Sequence, residues 1–209
     1  MDDSILIVDD SPSIVDDLVA LLKRKCFKPI AAHGGDEAIS ILSTHKPDLI
    51  LLEIMMEPMD GWETLEKIKA NPETHNLPVL MFSAKKISPE EAQEHSLNIE
   101  NFVSKPVNPA QLLDSMRCIF ERRCSVKLEA TVAKDAGLDA TIIGEYTALR
   151  KSIDFDRNLL EVLKNSSGIN IPGRVVPEDV VQAINKLDRK ITTDELRLKE
   201  INGTFAKGG

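Results

Sequence analysis

Five short apolar runs punctuate the first half of the chain: Ile5-Leu6-Ile7-Val8, Phe27 to Ala32, Leu49-Ile50-Leu51-Leu52, Val79-Leu80-Met81-Phe82 and Phe102-Val103. Runs of this length, bounded by Pro and Gly and continuous rather than alternating in polarity, predict strands buried on both faces of a parallel sheet. Between them apolar residues recur at helical spacing. Ile14, Val15, Leu18, Leu21 and Leu22 follow Ser11-Pro12-Ser13, and Lys23-Arg24-Lys25 closes that helix favourably for its dipole. Ala38, Ile39, Ile41 and Leu42 follow Gly34-Gly35, while Trp62, Leu65 and Ile68 follow Gly61 and stop at Asn71-Pro72. Ser88-Pro89-Glu90-Glu91 starts a helix with few apolar members, Ala92 and Leu97, which is expected to be weakly held and mobile. The order predicts an α/β domain, a five-stranded parallel sheet flanked by helices.

The second half reads differently. Asn108-Pro109 supplies a cap and first position for a helix carrying Leu112, Met116, Ile119, Val126 and Ala133. No Pro or Gly interrupts it before Gly137, so it is a candidate to run past the end of the α/β domain. A helix over about 139 to 165 follows, with Ile142, Ile143, Tyr146, Leu149, Ile153, Leu159, Leu160 and Leu163. After an irregular link over 168 to 177, a second runs from Pro177 with Val180, Val181, Ile184 and Leu187. Thr192-Thr193-Asp194-Glu195 reads as the start of a third, with Leu196, Leu198 and Ile201, before a fraying tail at Asn202-Gly203. Residues 121–209 are therefore expected to form a small all-α domain, a bundle or a dimer arm, after an α/β domain over 1–120.

Chemistry-bearing residues stand where the strands run out, which is where open parallel sheets bind ligands. Asp9 and Asp10 follow the first run, Glu53 the third, Ser83 the fourth, and Lys105-Pro106 the fifth. Singly, each has a plain structural role: an Asp pair or a Ser capping the next turn, or a solvated carboxylate. Together, in this order, they resemble the receiver domain of two-component response regulators, a flavodoxin/CheY-like fold, over about residues 1 to 120. The resemblance implies a crevice in which Asp9 and Asp10 hold Mg²⁺ weakly, together with the residue at position 53. It also implies that Ser83 and Phe102 act as switch residues and that Lys105 neutralises the acids. The departure is at the centre. A receiver carries an aspartate as phosphoacceptor eight residues before the Gly of its Met-Asp-Gly, and here that residue is Glu53. The proline after the methionine is also displaced, with Glu57 in its place and Pro58 next.

Composition narrows the partners. Residues 1 to 120 hold 11 Lys+Arg against 20 Asp+Glu, and residues 121 to 209 hold 15 against 14. An acidic first domain repels nucleic acid and a near-neutral second one lacks a basic footprint, so nucleic acid is not an expected partner. No run approaches a membrane span, and Asp2-Asp3 does not open a secretory signal, so the cytoplasm is expected. Cys26, Cys118 and Cys124 show no metal-type spacing and are expected as reduced structural thiols; His33 and His45 are expected at the surface, and Trp62 in the core. Residues 121–209 contain no His, which excludes a phosphotransfer helix there.

Glu exceeds Asp by one methylene, moving the carboxylate outward by about 1.5 Å. It can reach Ser83 or Lys105 directly, in the space where phosphoryl oxygens would sit. The expectation is a pseudo-receiver, not an enzyme, that signals by binding a protein partner or a second copy without phosphorylation. A conventional switch phosphorylated at Glu53 or Asp60, and a DNA-binding regulator using residues 121–209, are the alternatives.

Overall fold

All five apolar runs are extended within a residue of where the pattern puts them, the second starting one residue late. The computed structural model describes residues 3–84, 98–135, 137, 139–167, 169 and 176–205. The strands are β1 (Ser4–Val8), β2 (Lys28–Ala32), β3 (Leu49–Glu53), β4 (Val79–Ser83) and β5 (Asn101–Ser104). They form one parallel sheet in the order β2-β1-β3-β4-β5. Such an order needs crossovers, and helices α1 (Pro12–Arg24), α2 (Gly35–Leu42) and α3 (Gly61–Ala70) supply three of them. The helix expected from Ser88 lies outside the described residues.

β3 is the centre of this unit. Every residue from Leu49 to Glu53 is buried, which a strand achieves only with neighbours on both edges and helices on both faces. Val15, Leu18 and Leu22 of α1, Ala38 and Leu42 of α2, and Leu65 and Ile68 of α3 complete the core. Ile14, Leu21, Ile39, Ile41 and Trp62 are only half-buried, so the apolar stripes are broader than the core they serve. At the N-terminus of α1 the Ser11 hydroxyl makes no capping bond to the helix; Asp9 instead accepts the Ser11 amide at 2.8 Å.

The chain divides into two compact units, one holding the described residues up to 116 and the other those from 117 onward. Helix α4 (Pro109–Asp135) crosses that division without a break, its start capped by Asn108, which accepts the Ala110 amide at 2.9 Å. The second unit also contains α5 (Ala140–Ser167) and α6 (Glu178–Phe205). Asp139 caps α5 by accepting the Thr141 amide at 2.7 Å.

Here the structure corrects the two helices expected after Pro177: they are one. The Thr192 and Thr193 hydroxyls do not cap a new helix but donate to the carbonyls four residues back, Asp188 at 2.9 Å and Arg189 at 3.0 Å. A Thr whose hydroxyl turns inward this way continues a helix. The cysteines also differ from expectation, since all three are free but exposed. Cys26 ends the turn after α1 with a left-handed φ of 64°. His33 and His45 are exposed, as expected.

Helices α5 and α6 pack along their length. Tyr146, Ile153, Phe155, Leu159, Leu160 and Leu163 of α5, and Ala183, Ile184, Leu187, Ile191 and Ile201 of α6, are buried. Asp156, wholly inaccessible, lies among them and pairs with Lys190 of α6, while Lys190 also donates to Ser152 at 2.7 Å. One Asp156 oxygen, Oδ1, has no hydrogen-bond partner among the described residues. The other oxygen takes the Lys190 ammonium and a long bond of 3.4 Å from the Ser152 hydroxyl, so the charge of the carboxylate is met by Lys190. Outside that core Arg197 forks onto Glu145 through two bonds of 2.7 and 2.9 Å.

A second polar cluster ties α4 to α5. The Tyr146 hydroxyl donates to Glu129, and Arg150 bonds both at 2.8 and 3.1 Å. Burial raises the Glu129 carboxyl, but hydrogen bonds from Tyr146 and Ser125 and the Arg150 charge outweigh it and hold Glu129 below the usual carboxylate range. Burial, then the bond to Glu129, pushes the Tyr146 phenol up.

Two outcomes follow from these clusters. Replacing Lys190 by Ala strands a buried carboxylate and should lower the stability of the helical unit by about 3 kcal/mol, read by urea unfolding followed by circular dichroism. Glu129, lowered in the fold, contributes stability that is present above its unfolded pKa and lost as pH falls through the folded value. Tyr146→Phe should therefore cost about 1 kcal/mol at neutral pH, and the cost should shrink as pH falls through the lowered folded value and Glu129 takes up its proton. A cost that stays constant between those conditions would show that the cluster carries no such coupling.

Candidate functional site

The carboxyl ends of β1, β3, β4 and β5 converge because parallel strands all run out on one edge of the sheet. Register sets the neighbours. Val8 lies beside Leu52, Glu53 beside Phe82, and Ser83 beside Ser104. Asp9, Glu53, Ser83 and Lys105 are thereby gathered, although up to 96 residues separate them in the chain.

Glu53 is 2% exposed and its carboxylate is held at both oxygens. Oε1 accepts from the Ser83 hydroxyl at 2.5 Å and from the Ile54 and Met55 amides at 2.8 and 2.9 Å. Oε2 forms an ion pair with the Lys105 ammonium. Lys105 also reaches Asp9 Oδ2 at 2.7 Å and lies 4.8 Å from the centre of the Phe82 ring. Asp9, 1% exposed, uses its other oxygen on the Ser11 amide. The Lys105 backbone is pinned as well, donating to the Ser83 carbonyl at 2.8 Å ahead of a cis bond to Pro106.

Not every residue singled out from the sequence joins this cluster. Asp10 is exposed beside the pocket, and Phe102 is buried in β5 at 8% exposure. Asp60 serves as the N-cap of α3, accepting the Glu63 amide at 2.8 Å, which gives it a structural use. The sequence reading missed the Ile54 and Met55 amides and the Phe82 ring. Backbone donors leave no trace in side-chain pattern, and Phe82 reads only as a core residue of its strand.

Gly61 is the other part that pattern alone did not explain. A Cβ placed there would lie 2.1 Å from the Glu53 carbonyl oxygen and 2.7 Å from the Ile54 Cα. The Gly61 amide donates to the Ile54 carbonyl at 2.8 Å, so the start of α3 sits against the backbone that carries Glu53. Only a residue without a side chain permits that approach.

A divalent cation is what the resemblance implies among these carboxylates. The donors do not fit one as they are disposed: Glu53 Oε1 and both Asp9 oxygens are committed to Ser83, Lys105 and backbone amides, and the Lys105 ammonium lies against Glu53 Oε2, the one of the four with no hydrogen bond among the described residues. Among the described residues no three His, Cys, Asp or Glu side chains converge to hold a metal ion.

A family model described as the response regulator receiver domain matches residues 5–117, more than half of the chain. The chain belongs to the response regulator receiver family. Residues 122–209 match a second model, described as Metanogen output domain 2, so the helical unit of this response regulator is an output domain of that kind. Among curated proteins, the chain is 32% identical to the transcriptional regulatory protein CpxR of Escherichia coli over 118 residues, covering 56% of this chain and 49% of that one. It is 34% identical to a probable cyclic di-GMP phosphodiesterase of Vibrio cholerae over 157 residues, covering 74% of this chain and 33% of that one. The chain thus spans half or less of these two relatives. Among solved structures, the receiver is similar to the Vibrio cholerae chemotaxis protein CheY4, at 27% identity and TM-score 0.54, covering 57% of this chain and 99% of that one.

The contact at Gly61 makes the receiver pocket sensitive to one methyl group. Gly61→Ala should destabilise the protein by about 3 kcal/mol, as overpacking against backbone does, with the largest loss of amide protection at Glu53 to Met55 by hydrogen exchange. A change confined to α3 would show that the close approach does not support the Glu53 loop.

Proposed function

We propose that this response regulator signals without phosphorylation, with Glu53 standing permanently where a phosphoryl group would stand. The observation that carries this reading is the double engagement of one carboxylate. Glu53 Oε1 takes the Ser83 hydroxyl and Oε2 the Lys105 ammonium, the two groups that the resemblance assigns to phosphoryl oxygens. An anion is therefore already in place, on the side chain itself, and the receiver is held in one state. The output domain then acts through contact with a protein partner or a second copy rather than by catalysis.

Nucleophilic reactivity argues the same way. A carboxylate with three hydrogen bonds on one oxygen and an ammonium against the other is a weakened nucleophile, and it must shed those contacts to attack a phosphorus atom. A receiver phosphoacceptor must also sit in line with the donor, where a displacement on the order of an ångström loses about a hundredfold in rate. The longer side chain imposes such a displacement.

The rival reading is a conventional switch. It rests on the intact set Asp9, Asp10, Ser83 and Lys105. A DNA-binding output is a third reading, supported by the name of the CpxR relative and opposed by the even charge of residues 121 to 209. The first two separate cleanly. Incubation with acetyl phosphate and Mg²⁺ should leave the intact mass of the wild-type chain unchanged, while Glu53→Asp should gain a phosphoryl group. A labile phosphoryl group on wild-type Glu53 or Asp60 would remove the proposal.

A further inference from the structure

Two carboxylates buried side by side are tolerated only with positive charge between them. Asp9 and Glu53 are 1% and 2% exposed, and the charge that meets both is the Lys105 ammonium. Its position is set from three directions. The Lys105 amide is bonded to the Ser83 carbonyl, the Phe82 ring lies under the ammonium, and the two carboxylates close on it from β1 and β3. The side chain is 15% exposed, so solvent does not compete strongly for it.

A divalent cation bridging Asp9 and Glu53 needs the same space and the same lone pairs. Mg²⁺ also demands a near-octahedral shell of oxygens at about 2.1 Å. Glu53 Oε1 is spent on three donors and Asp9 Oδ2 on the ammonium, while Oε2 makes no hydrogen bond among the described residues and is met by the ammonium's charge. Asp10, next to Asp9 in the chain and exposed, offers one further carboxylate. Seating a metal beside a fixed ammonium adds like-charge repulsion at short range.

We infer that Lys105 is the resident cation of this pocket: its ammonium takes the place between Asp9 and Glu53 that a divalent metal would need, and the receiver does not take up Mg²⁺. Removing the ammonium frees those oxygens, and Asp9 and Glu53, with Asp10 beside them, become a divalent-cation site. The inference rests on the disposition of three side chains and stands whether or not Glu53 ever accepts a phosphoryl group.

The test is a titration of the full chain with Mn²⁺, followed by electron paramagnetic resonance of the free ion and by calorimetry. Wild type and Lys105→Arg should show no saturable binding up to about 1 mM, and Lys105→Met should bind at least about tenfold more tightly than wild type. Asp9→Asn placed in the Lys105→Met background should abolish the new site. If Lys105→Met folds poorly alone, its circular dichroism with and without Mn²⁺ answers the same question: recovery supports the inference and no recovery overturns it. Saturable wild-type binding that Asp9→Asn removes also overturns it. Wild type that binds Mn²⁺ yet keeps its mass with acetyl phosphate would sink this inference alone, leaving the proposed function in place.

Discussion

One ammonium between two buried carboxylates is the constraint on which the pocket depends. Asp9 and Glu53 are carried to the same sheet edge by β1 and β3, and each would be too costly to bury charged without a partner. Lys105 supplies that partner only because β5 pairs with β4, which puts the following residue within reach of the Ser83 carbonyl. Three strands and the turn after β5 are thus coupled through a single positive charge. The glycine at 61 serves the same end, since it lets α3 approach the backbone of Glu53 and leaves the Ile54 and Met55 amides turned onto the carboxylate.

Within that frame, the additional methylene of Glu53 decides the chemistry. An aspartate at this position would stop about 1.5 Å short. The glutamate instead reaches the Ser83 hydroxyl and the ammonium together. The same fact accounts for the crowding that leaves no shared oxygen for a metal. The proposed signalling by contact and the inferred resident cation both rest on that one side-chain length.

The helical output domain solves a related problem with less protection. Asp156 is wholly buried between α5 and α6 and depends on Lys190, whose side chain is 41% exposed, whereas the receiver ammonium is 15% exposed. Backbone donors and a hydroxyl meet one oxygen of Glu53, while Glu53 Oε2 and Asp156 Oδ1 both lack a hydrogen-bond partner among the described residues. Polar groups thus punctuate both cores, each with one carboxylate oxygen held by charge alone, and the receiver's lysine is the better shielded.

Much of the receiver was legible in the sequence because buried parallel strands write themselves as continuous apolar runs, and the functional residues come directly after those runs. The order of Asp9, Glu53, Ser83 and Lys105 after successive strands, and the anomaly of a glutamate among them, needed no coordinates. The helices of residues 121–209 were legible as elements but not in extent. Thr192 and Thr193 read as a cap, and only the helix itself showed their hydroxyls turned back to Asp188 and Arg189. Phe155 and Asp156 were not anticipated as buried, because which arc of α5 is covered depends on where α6 lies. Sequence determined which residues stand at the strand ends and how long the central side chain is, since both are properties of the chain taken one residue at a time. Tertiary structure alone decided that one ammonium is shared by two acids, and which backbone amides meet Glu53, because distances across a sheet edge depend on strand register and not on spacing in the chain.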